Sequence, residues 1–285
     1  MKESTVFLEN GLYVVATPIG NLDDISLRAL AVLKTVDEIA AEDTRHTRHL
    51  LQHFGIDKPL FPLHDHNELQ QKDKIIEKIK AGLRIALVSD AGTPLISDPG
   101  FTLVRALREQ ALRVITIPGP SAVTAALSIA GIACQQFVFE GFLPAKAKAR
   151  EERLQQLKSE VRTQVFYASV HRVVDDVNAI AAVYGSARKM VLLRELTKCH
   201  ETVISGTVAT IQQYLAEDEH AQKGEFVLVI AGAEVIQEQV EAEIERLLKI
   251  LLPVLSLKQA TALVSEILGV AKNPVYTMAL RLQKQ

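Results

Sequence analysis

The chain has 285 residues, of which 48% are hydrophobic and 23% are charged, and its formal net charge is −2. This composition excludes a disordered chain, and the length allows two compact domains with a small appendage. The near-zero net charge excludes a protein that holds nucleic acid by overall charge alone, but it leaves local basic patches open. The two cysteines, Cys134 and Cys199, lack ligand-like spacing, which favours a reducing compartment over a disulfide framework.

The N-terminal stretch has no basic region followed by an apolar run, so we expect no secretory signal and a cytoplasmic protein. Residues 114–139 carry no charge, but Pro118, Gly119 and Pro120 interrupt them. A membrane-spanning helix needs about 20 mainly apolar residues without such a break. We therefore predict a buried strand, a tight turn and a buried helix here, and no membrane contact.

Short apolar runs alternate with amphipathic stretches through residues 1–120, which predicts an N-terminal α/β domain with a parallel sheet. The predicted strands are Leu12–Ala16, Ile39–Ala41, Ile85–Val88 and Val114–Ile117. Their nearly continuous apolar character is typical of strands covered on both faces. Among the helix signals, Asp98 followed by Pro99 predicts an N-cap and a first helical residue.

Each of these strands is followed by a loop rich in glycine, proline, hydroxyl or carboxylate side chains. The loops are Thr17–Asn21, Glu42–Arg45, Ser89–Pro94 and Pro118–Ser121. Because ligands of open α/β sheets bind at the carboxyl ends of the strands, we expect the four loops to form one binding rim. The alternative is that they are ordinary turns, since glycine and proline punctuate any α/β protein.

Residues 121–233 predict a second α/β domain, and residues 234–285 a helical extension. The predicted strands of the second domain are Val165–Tyr167, Met190–Leu193, Thr202–Ile204 and Phe226–Ala231. In the extension, Leu257–Leu282 predicts two short helices around Leu268-Gly269-Val270. This pair is either a helix-turn-helix or a packed cap.

Several common cofactor signatures are absent from the sequence. No two of the 14 glycines are spaced as G-x-G, and neither a Walker A sequence nor a G-x-S-x-G elbow occurs. The rim is therefore not expected to bind a dinucleotide or nucleoside triphosphate in the usual way.

Nine sequence blocks in a fixed order carry a more specific signal. They are ATPIGNLDDIS, AEDTRHT, LHDHNE, ALVSDAGTPLISDPG, IPGPSA, EGFLPAK, FYASVHR, RELTK and KGEFVLVI. From about Gly11 to Ala233 the chain thereby resembles the ribosomal-RNA branch of the tetrapyrrole methylase superfamily. One departure is that Ala168 and Val170 occupy positions where the family usually has glutamate and proline, so that block should not supply a carboxylate.

The resemblance implies two α/β domains of the tetrapyrrole-methylase type with a cleft between them, and S-adenosylmethionine as the methyl donor. It also implies a homodimer that 2′-O-methylates the ribose of a cytidine in small-subunit (16S) ribosomal RNA. We expect the assembled 30S subunit as the substrate, while the sequence leaves naked RNA open as the alternative. The implied donor contacts are Pro18, Gly20, Asp90, Gly92, Thr93, Pro94, Pro120, Ser121 and Leu143, with Tyr167, Gly224 and Glu225 from the second domain. Loops rich in proline and glycine suit this ligand because they allow close approach of the backbone.

A ribose hydroxyl is a poor nucleophile, so a general base is expected beside the donor. The candidates are, in order of preference, Glu42 and Asp43, then His64 and His66, then Glu195 with Lys198. Alternatively, Glu42 and Asp43 cap the helix that begins at Thr44, and the last pair is a structural ion pair. As phosphate contacts for RNA we expect Arg45, Lys146, Lys148 and Arg172, although the basic run from Lys146 to Arg150 also fits a solvated loop.

The sequence also allows three rival functions. His46, His49 and His53 share one helical face, and with His64 and His66 nearby they suggest a metal-dependent hydrolase, although no H-E-x-x-H pattern occurs. A ribosome-assembly factor with a vestigial cleft is the non-enzymatic alternative. Within the superfamily, the substrate could instead be a tetrapyrrole or a protein side chain.

Overall fold

The structure is a computed structural model and describes residues 8–217, 219–233 and 237–283. The chain divides into two compact units, one ending at Gly232 and one beginning at Ala233. Both β-sheets belong to the first unit, and the second unit consists of helices.

The first sheet has five strands, all paired in parallel, in the order β3-β2-β4-β1-β5. The strands are β1 (Gly11–Val15), β2 (Glu38–Ala41), β3 (Leu60–Pro62), β4 (Arg84–Val88) and β5 (Val114–Ile117). The helices that follow them are α1 (Leu27–Thr35), α2 (Thr44–His53), α3 (Glu68–Lys80) and α4 (Phe101–Glu109). The four predicted strands are present within one residue at each end, and β3 is an additional edge strand.

Helices cover both faces of this sheet. Val32 and Leu33 of α1 pack with Ile39 on one face, while Ile75 of α3 and Leu103 of α4 pack on the other face. All five side chains have at most 1% of their surface exposed. The continuous apolar character of the strands is explained by this two-sided burial.

The second sheet is mixed and has the order β6-β7-β10-β8-β9. Its strands are β6 (Phe137–Phe142), β7 (Thr163–Ser169), β8 (Lys189–Arg194), β9 (Thr202–Thr207) and β10 (Glu225–Ile230). Only β6 and β7 pair in parallel. The helices of this part are α5 (Ala122–Ile129), α6 (Ala147–Leu157), α7 (Val173–Tyr184) and α8 (Val208–Glu217).

The uncharged segment 114–139 forms β5, a turn and α5, as predicted, and then enters β6. Val123 and Ala126 of α5 pack against Val165 of β7 and Val229 of β10, so the helix is buried against the second sheet. None of the helices in the described part of the chain is long and apolar enough to span a bilayer.

The predicted N-cap at Asp98 is wrong. Helix α4 begins at Phe101 after Gly100, whose φ of 122° only glycine adopts readily. The amide of Leu103, in the first turn of α4, donates to Oε1 of Glu68 at 2.9 Å, so a carboxylate from α3 satisfies it. Asp98 therefore remains in the loop and is free to face the cavity described below.

The second unit contains α9 (Gln237–Leu251), α10 (Leu257–Leu268) and α11 (Lys272–Gln283). Ser256 and Gln259 form a capping box at the start of α10, and Gly269 ends it in the left-handed conformation. This confirms the two predicted helices on either side of Gly269. The unit has its own apolar core, which includes Leu248 of α9 and Val264 of α10.

Candidate active site

Hydrogen bonds hold the rim loops of the first sheet together. Thr17 and Gly92 exchange two backbone hydrogen bonds of 2.9 and 3.1 Å, which join the loops after β1 and β4. The amide of Asp43 donates to Oδ1 of Asp90 at 3.0 Å, and Oγ1 of Thr93 donates to the carbonyl of Pro120 at 3.0 Å. The loops after β1, β2, β4 and β5 thus lie side by side, as predicted.

A cavity of about 390 Å³ lies between this rim and the second sheet. Its volume is in the range of sites for small organic ligands. The polar lining residues from the rim are Glu42, Asp90, Thr93, Ser97, Asp98 and Ser121. The second sheet and its loops contribute Phe142, Tyr167, Ala168, Ser169, Val170, Gly224, Glu225, Phe226 and Val227.

The predicted donor contacts fall into three groups. Those that line this cavity are Asp90, Gly92, Thr93, Ser121, Tyr167, Gly224 and Glu225. Pro18 and Gly20 instead line a second cavity of about 460 Å³, which shares Ile19, Asp90, Ala91 and Glu225 with the first. Pro94, Pro120 and Leu143 are not on the lining of either cavity: Pro94 is buried, Pro120 supports Thr93, and Leu143 lies in the apolar core of the second sheet.

Carboxyl groups dominate the electrostatics of the first cavity. Burial raises the pKa of Asp98 to about 6, and the negative charges of Glu42, Asp90 and Asp65 raise it further. The hydrogen bond with Ser89 acts in the opposite direction and lowers the pKa in part. Burial also raises the pKa of Glu42, with further contributions from neighbouring carboxylates. Such a cavity favours a ligand with positive charge, which would offset the repulsion.

Tyr167 forms part of an aromatic wall in the same cavity. Its ring meets Phe139 and Phe142 edge to face, with centroid distances of 4.9 and 5.5 Å. Burial, together with the carboxylate of Asp98, raises the pKa of its phenol to about 12. The group is therefore a neutral hydroxyl at physiological pH, suited to hydrogen bonding and packing.

Asp98, Ser97 and Phe142 are lining residues that sequence reasoning did not select. Leu95 and Ser97 have positive φ angles of 74° and 71°, which are unfavourable for residues other than glycine. Asp98 directly follows this strained segment and lines the cavity. Backbone strain of this kind is concentrated at functional sites, but it is not visible in the sequence.

The alternatives for the general base differ sharply in their surroundings. Glu42 lines the first cavity, whereas Asp43 caps α2 through the amide of Arg45 and also forms an ion pair with the Arg45 guanidinium at 2.8 Å. Hydrogen bonds from Arg45 hold the pKa of Asp43 far below its usual range. His64 and His66 lie in the loop after β3 and line neither cavity, although Nδ1 of His64 is buried without a hydrogen-bond partner in the described part of the chain.

Glu195 and Lys198 form an ion-pair network. The ammonium of Lys198 lies 2.9 Å from carboxylate oxygens of both Glu195 and Glu225, and the amide of Glu225 donates to Glu195 Oε1 at 2.9 Å. Burial opposes the ionisation of Glu195, but these hydrogen bonds more than offset it, so its pKa is lowered. A Cβ atom at Gly224 would lie 2.6 Å from Glu195 Oε1, which shows how closely the network is packed.

The predicted phosphate contacts are accessible. Arg45 is exposed and paired with Asp43, and Lys146 and Lys148 are exposed at the start of α6. Lys148 is 4.0 Å from Glu152, and Arg172 is partly buried just before α7. Exposed pairs of this kind are weak, so Arg45 and Lys148 are free to exchange partners.

The described residues do not support the metal-dependent hydrolase. Among them, no group of three or more His, Cys, Asp or Glu side chains is placed to hold a metal ion. His46, His49 and His53 instead line the second cavity from α2, while His64 and His66 belong to a different loop.

Two family profiles match the chain. The profile described as Tetrapyrrole (Corrin/Porphyrin) Methylases matches residues 11–212, and the RsmI C-terminal HTH domain profile matches residues 238–283. The chain is 52% identical to "Ribosomal RNA small subunit methyltransferase I" of Escherichia coli O157:H7, over 95% of both chains. It is 50% identical to the protein of the same name from Pseudomonas aeruginosa, over 95% of this chain and 97% of that one.

Solved structures share the fold at much lower identity. A uroporphyrin-III-C-methyltransferase from Thermus thermophilus is 18% identical, with a TM-score of 0.54 over 78% of this chain and 94% of that one. A diphthine synthase is 16% identical, with a TM-score of 0.57 over 77% of this chain and 89% of that one. These similarities show the fold alone.

Proposed function

Because the chain belongs to the tetrapyrrole methylase family, we propose that it transfers a methyl group from S-adenosylmethionine to small-subunit ribosomal RNA. The observation that carries this proposal is the identity of about half of all residues, over nearly the full length, to proteins named for that reaction. The same similarity favours RNA over a tetrapyrrole or a protein side chain, since the structures named uroporphyrin-III-C-methyltransferase and diphthine synthase are under 20% identical to this chain.

The first cavity fits the donor chemically. When bound, S-adenosylmethionine supplies an electrophilic methyl group on a positively charged sulfur. The carboxylates of Asp90 and Asp98 would attract its positive charges, and Ile19 and Phe142 offer apolar surface to its adenine. Gly92 lets the backbone approach closely, because a Cβ atom there would lie 3.3 Å from Ile19 Cγ2.

We assign the role of general base to Glu42. It lines the first cavity, which we call the donor cavity because we propose that the methyl donor binds there. The raised pKa of Glu42 makes it a better proton acceptor than an exposed glutamate. In the proposed step, the Glu42 carboxylate accepts the proton of the ribose 2′-hydroxyl as the oxygen–carbon bond forms and the carbon–sulfur bond breaks. Asp43 and Glu195 are poorer candidates, because Arg45 and Lys198 stabilise their charged forms.

Finer points of the function rest on the sequence resemblance. We propose a cytidine 2′-hydroxyl as the acceptor, the assembled 30S subunit as the substrate, and a homodimeric, cytoplasmic enzyme. Arg45, Lys146, Lys148 and Arg172 would contact phosphates, which places the RNA without reading its sequence.

A transfer assay with purified protein tests the proposal. Methyl-labelled S-adenosylmethionine is incubated with naked small-subunit RNA and with assembled subunits, and the digested RNA is analysed by mass spectrometry. We expect label in 2′-O-methylcytidine, with more of it from assembled subunits. Label in a base, or no transfer to either RNA, would contradict the proposed reaction.

A further inference from the structure

The second cavity adjoins the donor cavity along a common wall. Ile19, Asp90, Ala91 and Glu225 line both cavities. The lining of the second is completed by Thr17, Pro18, Gly20, Leu22, His46, His49, Leu50, His53 and Lys198. Its volume of about 460 Å³ is enough for a group larger than a water cluster.

Helix α2 presents three imidazole rings to this cavity. Its sequence, Thr44–His53, contains two arginines and three histidines and no acidic residue. His46, His49 and His53 are exposed, and their spacing along the helix brings all three to the cavity. Within the described residues, no side-chain hydrogen bond or ion pair engages the imidazoles of His46 and His49.

Methyl transfer requires the acceptor oxygen to lie within roughly 3–3.5 Å of the donated carbon. The acceptor must therefore occupy space that adjoins the donor cavity, and the second cavity does so along Asp90 and Ala91. Glu42, the proposed base, lines the donor cavity but not the second cavity. Its Oε2 accepts a hydrogen bond of 3.4 Å from the amide of Asp90, which lines both cavities.

We propose that the second cavity binds the RNA nucleotide that accepts the methyl group, and that His46, His49 and His53 position this nucleotide. This proposal rests on the proposed function. Imidazole rings stack on unpaired bases and donate hydrogen bonds to phosphate oxygens. Leu22 and Leu50 provide apolar contacts for the sugar and base. Lys198 is less available to a phosphate than the histidines, because Glu195 and Glu225 already pair with it.

The test replaces His46, His49 and His53 together by alanine in the full-length protein. We expect the KM for small-subunit RNA to rise by roughly tenfold or more, as lost contacts to charged groups imply, with a smaller change in kcat. The affinity for S-adenosylmethionine, measured by calorimetry, should stay the same, because none of the three residues lines the donor cavity.

Two control variants separate positioning from a general structural effect. Gln52→Ala changes an exposed residue of α2 that lies outside both cavities, and its KM for RNA should match the wild type. A triple glutamine variant keeps a hydrogen-bond donor at each histidine position and should recover part of the lost RNA affinity. All variants should have the melting temperature of the wild type.

An unchanged KM for RNA in the triple alanine variant would overturn this inference. So would an equal rise in KM in the Gln52→Ala variant, because the effect would then belong to the helix as a whole. A wild-type protein that methylates no small-subunit RNA would instead overturn the proposed function, so the two failures are distinguishable.

Discussion

At the scale of single residues, Asp98 has the clearest energetic consequence. Its pKa is about 6 in the folded protein, against an ordinary value of 3.8, because it is partly buried beside other carboxylates. Between these two pH values the folded protein binds more protons than the unfolded chain, so the free energy of unfolding falls as the pH rises. Above about pH 6 this destabilisation is present in full.

We therefore expect Asp98→Asn to raise the free energy of unfolding of the donor-free protein at about pH 7, and to have less effect at about pH 5. Urea unfolding at the two pH values measures the difference. The same variant should bind S-adenosylmethionine roughly tenfold or more weakly, because a carboxylate that offsets its positive charge is lost. A variant that loses stability at neutral pH would contradict this description of the cavity.

Glu42 and Glu195 provide a matched pair for the assignment of the base. Glu42→Gln should lower kcat by about 10²–10⁴, the usual contribution of a general base. Glu195→Gln should lower the free energy of unfolding by about 1 kcal/mol, because it weakens the hydrogen bonds with Lys198 and Glu225, and should leave kcat nearly unchanged. Single-turnover kinetics measures the chemical step in both variants, and a larger loss of rate for Glu195→Gln would reverse the assignment.

Some site residues were predictable from the sequence and others were not. Asp90 and Gly92 directly follow a strongly apolar strand, so their place on the rim follows from the polarity of the parallel sheet. Asp98 was misassigned because Asp-Pro is a good local signal for a helix start. That signal was overridden by a tertiary contact, the hydrogen bond from Leu103 to Glu68, which the local sequence does not show.

At the scale of elements, the strands missed by sequence analysis are edge strands. β3 lies at one edge of the first sheet and β6 at one edge of the second. β3 has only three residues and includes Pro62, while β6 contains an irregularity between Phe139 and Gly141. Edge strands are less buried and often carry proline or bulges, so their apolar pattern is weaker than that of central strands.

Two backbone hydrogen bonds between Thr17 and Gly92 join the loops after β1 and β4, and they lead to a prediction for Gly92. Its φ of 80° and the proximity of Ile19 mean that Gly92→Ala should lower the free energy of unfolding by about 1–3 kcal/mol and also weaken donor binding. Gly55→Ala is the matched control, because Gly55 has a φ of 62° but a Cβ atom there would meet nothing within 4 Å. It should lose stability through the backbone alone and keep its donor affinity, as calorimetry would show. Equal donor affinity in both variants would argue against a donor site beside Gly92.

At the scale of the whole molecule, the residues that line both cavities lie in the unit that ends at Gly232. The helices after Ala233 have their own core. We therefore expect a chain truncated after residue 233 to bind S-adenosylmethionine within about twofold of the full-length affinity. A weaker interaction with small-subunit RNA in the truncated protein, measured by KM, would agree with the helix-turn-helix description of the matching profile. Loss of donor binding in a folded truncated protein would contradict the expectation that the residues up to 233 are enough to bind the donor.

The boundary near residue 120 between two α/β domains stays a prediction, since both sheets fall in one compact unit. The alternation of strands and helices predicted two sheets correctly, because each buried strand carries its own local signal. How the sheets associate depends on contacts between distant residues, such as the hydrogen bond from the amide of Asn21 to Oγ1 of Thr197. Local patterns do not encode such contacts.

The most direct test of the central claim compares small-subunit ribosomal RNA from cells with and without this protein. Mass spectrometry of digested RNA measures ribose methylation at each nucleotide. We expect one 2′-O-methylated cytidine to be lost without the protein, to return with the wild-type chain, and to stay absent with the Glu42→Gln variant. Identical methylation of the RNA in both kinds of cell would contradict the account.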